Sequence, residues 1–189
     1  MTSKPILSIL IPTLPDRKEF LDRLLIKIQD QATDDIEVLV DDDTEATTGV
    51  KRNRLIDQCA TEWAVFIDDD DLVADNYVQK HLRILKENPK TDAIGFKGKI
   101  STNGRNPQDF IIKYGLDYIE DRSSGKTVYL RPINHICVIR TEISRKVRYP
   151  DITFGEDYDF CKRLAESDLI KDHEFIDEFM YFYLYRSRK

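Results

Sequence analysis

The chain has 189 residues, enough for one domain with a full core and too few for two. With 41% hydrophobic and 34% charged residues, its composition excludes a disordered or fibrous chain. A formal charge of −6 gives no general attraction to a nucleic-acid backbone, though it leaves room for a local basic groove.

Three cysteines, Cys59, Cys137 and Cys161, are odd in number and lack metal-finger spacing. A disulfide framework is therefore not expected, and a reducing compartment is. The apolar run at 6–11 is too short for a signal core or a membrane span, and no other stretch reaches span length. No transmembrane segment and a cytoplasmic location are the expectation.

Residues 6–11, apolar except for Ser8 and closed by Pro12, predict a buried strand. Asp16 and Glu19 have capping-box spacing, and Phe20, Leu21, Leu24, Leu25 and Ile28 then share one helical face. Residues 36–40 predict a second strand, ending in Asp41-Asp42-Asp43. A polar loop, 44–49, leads to a short helix with Leu55, Ile56, Cys59 and Ala60 inward. Residues 63–67 predict a third buried strand, which ends in Asp68-Asp69-Asp70-Asp71. Strand–helix–strand–helix–strand with apolar strands implies a mainly parallel sheet with helices on both faces. Ligands bind beyond the carboxyl ends of such strands, where both acidic clusters fall.

Asp75 is expected to cap a helix through Lys86, with Val78, Leu82 and Leu85 inward. The pattern then changes. Residues 92–102 predict a strand, Asn103-Gly104 a turn, and 110–112 and 127–130 further strands, together a small antiparallel meander. Residues 135–139 predict another strand, a short helix starts at Thr141, and 158–167 is helical with Phe160, Cys161, Leu164 and Ala165 inward. From Tyr181 the tail is aromatic, then basic.

Four successive aspartates repel one another, and a hard divalent cation, Mn²⁺ or Mg²⁺, relieves that repulsion through carboxylate oxygens. The alternative is a solvated acidic loop with a helix cap at its end. Here the order of motifs becomes recognisable. Ser8-Ile9-Leu10-Ile11-Pro12-Thr13, Val38-Leu39-Val40-Asp41-Asp42, Lys51-Arg52-Asn53-Arg54, Phe66-Ile67-Asp68-Asp69-Asp70-Asp71 and Gly155-Glu156-Asp157-Tyr158-Asp159-Phe160 together resemble the family 2 glycosyltransferases. Each motif alone is weak; five in order over residues 6–165 make a specific signal.

The resemblance implies a single GT-A (Rossmann-like) α/β domain, inverting and metal-dependent. Its nucleotide-binding half would lie at 1–90 and its acceptor-binding half at 91–189. It also implies site roles. Pro12, Thr13 and Arg17 match the segment against the nucleotide, and Asp41 the acid that accepts from the base of a UDP-sugar. Arg52 and Asn53 match a basic helix start facing the donor, whereas Lys51 and Arg54 are read as exposed helix surface. In the D-x-D match, Asp70 is the metal ligand, Asp68 the donor contact, and Asp69 points differently. Asp71 binds the metal through water or caps the next turn. Asp157 matches the base that takes the acceptor proton, with Glu156 as the alternative; either could instead merely cap the helix.

His135 could complete the metal shell, contact the acceptor, or serve as a satisfied structural residue. Arg186 and Arg188 fall where related enzymes close a basic tail over the diphosphate; a solvated tail is the alternative. Trp63 is expected in packing rather than sugar stacking. The acceptor, whether a glycan, a lipid-linked sugar, a protein or a modified nucleobase, would meet the meander at 97–130 or a partner. The close approach of the chain's end to the Glu-Asp helix speaks against a processive membrane synthase.

Three rival readings have sequence support. Residues 38–49, with Thr47-Thr48-Gly49, resemble the diphosphate-sugar loop of type I phosphoribosyltransferases, although one residue too long. Residues 67–72 faintly resemble the start of a haloacid-dehalogenase-type phosphatase. A catalytically inactive nucleotide-sugar-binding module would share the same donor motifs.

Overall fold

The computed structural model describes residues 4–186. Three strands open the fold as predicted: β1 (Leu7–Pro12), β2 (Ile36–Asp41) and β3 (Trp63–Phe66). β1 is central and parallel to both neighbours, with Ile9 opposite Val38 on one side and Val65 on the other. Leu7, Ile9, Leu10 and Ile11 are fully buried because β1 is covered on both faces. β2 is the sheet edge and only half-buried, so it departs from the expected buried strand.

Helix α1 (Lys18–Gln29) follows β1 and buries Leu24 and Ile28, with Leu21 and Leu25 packed beside them. The expected capping box does not form. Asp16 lies in a 3₁₀ turn, Pro15–Arg17, and the helix begins after Arg17 with no side-chain cap. Phe20 also leaves the core face and becomes a ring under three arginines, Arg17, Arg23 and Arg186. Helix α2 (Thr48–Gln58) is capped by Thr47, whose hydroxyl accepts from the Val50 N–H. Leu55, Ile56 and Cys59 point inward as expected, while Ala60 is exposed.

A short strand β4 (Leu72–Val73) precedes α3 (Tyr77–Glu87). Val78, Leu82 and Leu85 are buried as predicted, but Asp75 does not cap; it is exposed and pairs with Lys27. β5 (Ala93–Thr102) and β6 (Arg105–Ile112) form an antiparallel hairpin. Its turn, Asn103-Gly104, has both residues at positive φ, as such a turn requires. β7 (Ile119–Asp121) is antiparallel to β8 (Val128–Arg131), but β8 runs parallel to β6, so the meander is mixed rather than wholly antiparallel.

β9 (Val138–Arg140) starts later than expected and bridges β3 and β5, antiparallel to both. It leads into α4 (Thr141–Val147) and then α5 (Glu156–Glu166). The chain closes on β10 (His173–Tyr185), thirteen residues long, parallel to β5 and antiparallel to β4. One sheet therefore carries the order β2-β1-β3-β9-β5-β6-β8-β7, with β10 on the other edge of β5. Helices α2, α4 and α5 pack together, while α1 lies on β4 and α3 on β10. The domain is α/β, and among the described residues no helix is long and apolar enough to cross a membrane.

Candidate active site

Because β1 and β3 are parallel neighbours, the segments after them leave the sheet side by side, bringing Thr13 and Arg17 against the aspartate run. Thr13 Oγ1 donates to Asp69 at 2.6 Å, and Arg17 Nε donates to the same carboxylate at 2.8 Å. Asp69 is thereby turned inward, away from its neighbours, and is 2% exposed. Its hydrogen bonds to Arg17 strengthen the guanidinium's hold on its proton. Lys51 is not helix surface; it is buried, and Nζ donates to the Thr13 carbonyl at 2.7 Å.

Arg52 is the hinge of the site. Its side chain is buried against the rings of Phe66 and Tyr149, with Nη2 3.0 Å from Asp68 and Nε 3.2 Å from Glu156. Burial alone would raise the Asp68 pKa. The charge of Arg52, helped by His135, overcomes that and holds the carboxyl below the usual range. His135 lies between two acids, Nε2 3.4 Å from Asp68 and Nδ1 4.0 Å from Asp157. It stands in the loop before β9 rather than on the strand.

Gly155, at φ 83°, occupies the cap position of α5, so neither Glu156 nor Asp157 is spent as its N-cap. The two acids then diverge. The Glu156 side chain is 7% exposed and tied to Arg52, whereas that of Asp157 is 46% exposed and faces the cleft.

Asp70 meets Arg17 at 3.0 Å and Arg186 at 3.2 Å, and its backbone carbonyl accepts from Arg23. Arg186 thus reaches the acidic cluster; Arg188 lies outside the described residues. Asp71 neither caps the next turn nor faces solvent. It is buried, accepting from the Tyr181 hydroxyl and the Leu184 N–H, both at 2.8 Å, and so pins β10 to the site. Burial, then the charge of Asp68, pushes its pKa well above the carboxylate range.

Asp41 ends β2 opposite Pro12 and pairs with Arg54 at 3.1 Å. Arg54 also binds Asp43, so this arginine belongs to the acidic rim and not to bare helix surface. Asn53 departs from the donor-facing expectation: both ends of its amide are spent on the Tyr149 backbone, each at 2.9 Å. It holds the loop before α5 in place. The segment of the rival phosphate-loop reading has its donors occupied: the Val50 N–H is capped by the Thr47 hydroxyl, and the Gly49 N–H is spent on the Ile152 carbonyl.

A cleft of about 490 Å³ opens beside Asp68, His135 and Asp157. Its far walls are the Ile100, Phe110, Tyr129 and Arg131 side of the meander and Tyr181, Tyr183 and Tyr185 of β10. Sequence reading missed β10 as a wall. Its signal was the alternation of tyrosines at 181, 183 and 185, which places three rings on one face of a strand.

Among the described residues no three His, Cys, Asp or Glu side chains converge as a complete metal cage. Asp68 and Asp70 are nonetheless part-exposed carboxylates on either side of the buried Asp69, Asp68 meeting Arg52 and Asp70 meeting Arg17 and Arg186. Hard oxygen donors of this kind fit Mn²⁺ or Mg²⁺ when substrate phosphates complete the shell.

The architecture has solved counterparts. The chain matches S. aureus TarS 1-349 in complex with UDP at a TM-score of 0.72 and 17% identity, covering 95% of this chain and 60% of that one. The complex of the same fragment with UDP-GlcNAc matches at 0.70 and 16%, covering 97% and 60%. TarS itself matches at 0.68 and 16%, covering 95% of this chain and 36% of its own. This chain therefore spans three fifths or less of those proteins. No curated protein matches it. The family model described as "Glycosyltransferase like family 2" matches residues 9–169, which contain every motif from Pro12 to Asp157. The chain belongs to the family 2 glycosyltransferases.

Proposed function

We propose that the protein transfers a sugar, with inversion, from a UDP-sugar to an acceptor hydroxyl. The donor half is 1–90 and the acceptor half 91–189. The observation that carries this reading is the divergence of the two acids at the start of α5. Glu156 is neutralised by Arg52, whereas Asp157 is open to the cleft that also contains Asp68. UDP is favoured as the nucleotide because the structurally similar TarS fragment was crystallised with UDP and with UDP-GlcNAc.

In this reading Asp41 accepts from the uracil, and Pro12 and Thr13 lie along the nucleoside. Asp68 binds the ribose or donor sugar. Arg52 holds Asp68 from behind, and Arg17 and Arg186 stand over the diphosphate. Asp70 would hold Mn²⁺ or Mg²⁺, which supplies Lewis-acid charge on the departing diphosphate. Asp157 takes the acceptor's hydroxyl proton as that oxygen bonds to the anomeric carbon and the bond to UDP breaks. His135 keeps Asp157 and Asp68 at a fixed separation, a role that suits its place between them better than metal ligation. Three buried free cysteines suit a reducing, cytoplasmic setting.

Binding of UDP and release of UDP from UDP-sugars test the assignment together. Asp157→Asn is expected to bind UDP with Mn²⁺ within a few-fold of wild type while turnover falls on the order of 10²–10⁴-fold. Asp70→Ala is expected to lose both. An Asp157→Asn enzyme with wild-type turnover would remove the base, and unchanged Mn²⁺-dependent UDP binding by Asp70→Ala would remove the metal assignment. Absence of turnover in the wild type with every UDP-sugar and acceptor offered, despite tight UDP binding, is the result an inactive binding module gives.

A further inference from the structure

Arg131 ends β8 inside the cleft. Its guanidinium lies 5.1 Å from the Tyr118 ring centre and 5.0 Å from that of Tyr129, and Nη1 donates to the carbonyls of Ile119 and Leu130. Two rings and two carbonyls fix its direction. Among the described residues, however, no carboxylate forms an ion pair with it. Arg52, Arg140 and Arg163 are answered by acids, by Asp68 and Glu156, by Asp92 and Glu62, and by Asp159. Arg145 is held by the carbonyls of Ile56 and Cys59 instead, but of these arginines only Arg131 lines the cleft. A guanidinium fixed in direction within a cleft, with no carboxylate bound to it, is free to pair with an anionic group that a ligand brings.

The surroundings narrow what that is. Tyr183 and Tyr185 line the same cleft as exposed rings, and Tyr118 stands close enough to feel the charges of both Asp157 and Arg131. Flat rings beside a fixed guanidinium suit a sugar ring that carries an acidic group. One guanidinium answers one anionic group. A polyanionic strand would also meet Asp68 and Asp157 in the same cleft, which opposes a nucleic-acid acceptor. A purely apolar chain would leave Arg131 unanswered.

We infer that the acceptor is a saccharide bearing an anionic group, carboxylate or phosphate, bound by Arg131 while its reacting hydroxyl faces Asp157. This rests on the reading of Asp157 as the base, and it makes Arg131 the residue that selects the acceptor.

Calorimetric binding to the wild-type protein with UDP and Mn²⁺ present tests it. The probes are cellobiose, cellobiouronic acid, glucose 6-phosphate, a neutral alkyl glucoside and a single-stranded oligonucleotide. One or both acidic sugars should bind at least about tenfold more tightly than cellobiose, ~1.4 kcal/mol. A preference for the uronic acid or for the phosphate identifies which anion is read. The preference should vanish in Arg131→Gln and survive in part in Arg131→Lys, with UDP affinity reporting that each variant is folded. Equal binding of cellobiose, no binding of either acidic sugar at millimolar concentration, tighter binding of the alkyl glucoside or oligonucleotide, or a preference that persists in Arg131→Gln would each overturn it. Failure of the wild type to bind UDP would instead overturn the donor reading. UDP binding with an intact Asp157→Asn effect, but no acidic-sugar preference, removes the acceptor inference alone.

Discussion

Arg52 shows how one buried cation can organise acids from two segments far apart in the chain. It touches Asp68 after β3 and Glu156 at the start of α5, and by occupying Glu156 it leaves Asp157 as the open carboxylate. Removing it leaves the buried Glu156 and the part-exposed Asp68 without their cation. Arg52→Met is therefore expected to lose about 3–5 kcal/mol of stability in urea unfolding. Arg52→Lys should recover only part, because a single ammonium cannot span both acids as a guanidinium does. His81 is a second buried residue with a measurable signature. Its Nδ1 faces the Tyr77 carbonyl at 2.8 Å, and Nε2 is buried with no hydrogen-bond partner among the described residues. Burial therefore lowers its pKa from 6.5 to about 4. The unfolded chain takes up this proton first as pH falls. The neutral ring thus contributes no penalty above 6.5, and stability is lost progressively from there down to about 4. The loss amounts to about 3 kcal/mol when complete. Unfolding measured from pH 8 to pH 4 should show this component, and His81→Leu should flatten it.

Among the elements, the loop joining α4 to α5 depends on a contact in α2. Gly49 donates its N–H to Ile152, and a Cβ there would sit 1.8 Å from the Pro150 carbonyl oxygen. Gly49→Ala is expected to cost about 1–3 kcal/mol in thermal or chemical unfolding and to lower turnover by displacing Glu156 and Asp157. Normal stability with normal turnover would show that the loop yields freely. The elements legible in advance were those with a local signature: the apolar strands β1 and β3, the inner face of α3, and the Asn103-Gly104 hairpin. What sequence reading missed was decided by tertiary neighbours. Lys51, expected as helix surface, becomes buried because the segment after β1 closes over it and its Nζ is taken by the Thr13 carbonyl. Asn53 is a motif residue, yet the Tyr149 backbone claims its amide. The roles of Asp69 and Asp71 are likewise invisible in a run of four identical residues. They are set by Thr13 and Arg17 on one side and by β10 on the other.

At the scale of the whole molecule, a parallel block around β1 meets a mixed block around β5, and the cleft lies between the segment after β3 and the strands β5, β6, β8 and β10. The acidic run was recognisable as a site because it falls at the carboxyl end of β3. The cleft was not, since its walls come from β5, β6, β8 and β10, segments far apart in the chain whose pairing no local pattern records. The same layout places Trp63, the chain's one tryptophan, at the opposite end of β3 from Asp68. Its indole is buried, donates to the Thr91 carbonyl at 2.7 Å and lies under Arg140. Intrinsic emission excited at the red edge therefore reports from a single dry location remote from the chemistry. It should shift sharply to longer wavelength as the sheet comes apart and stay nearly constant when UDP binds. Ligand titrations on this protein accordingly need the tyrosines of the cleft, or a label, while tryptophan gives an unfolding signal uncontaminated by binding.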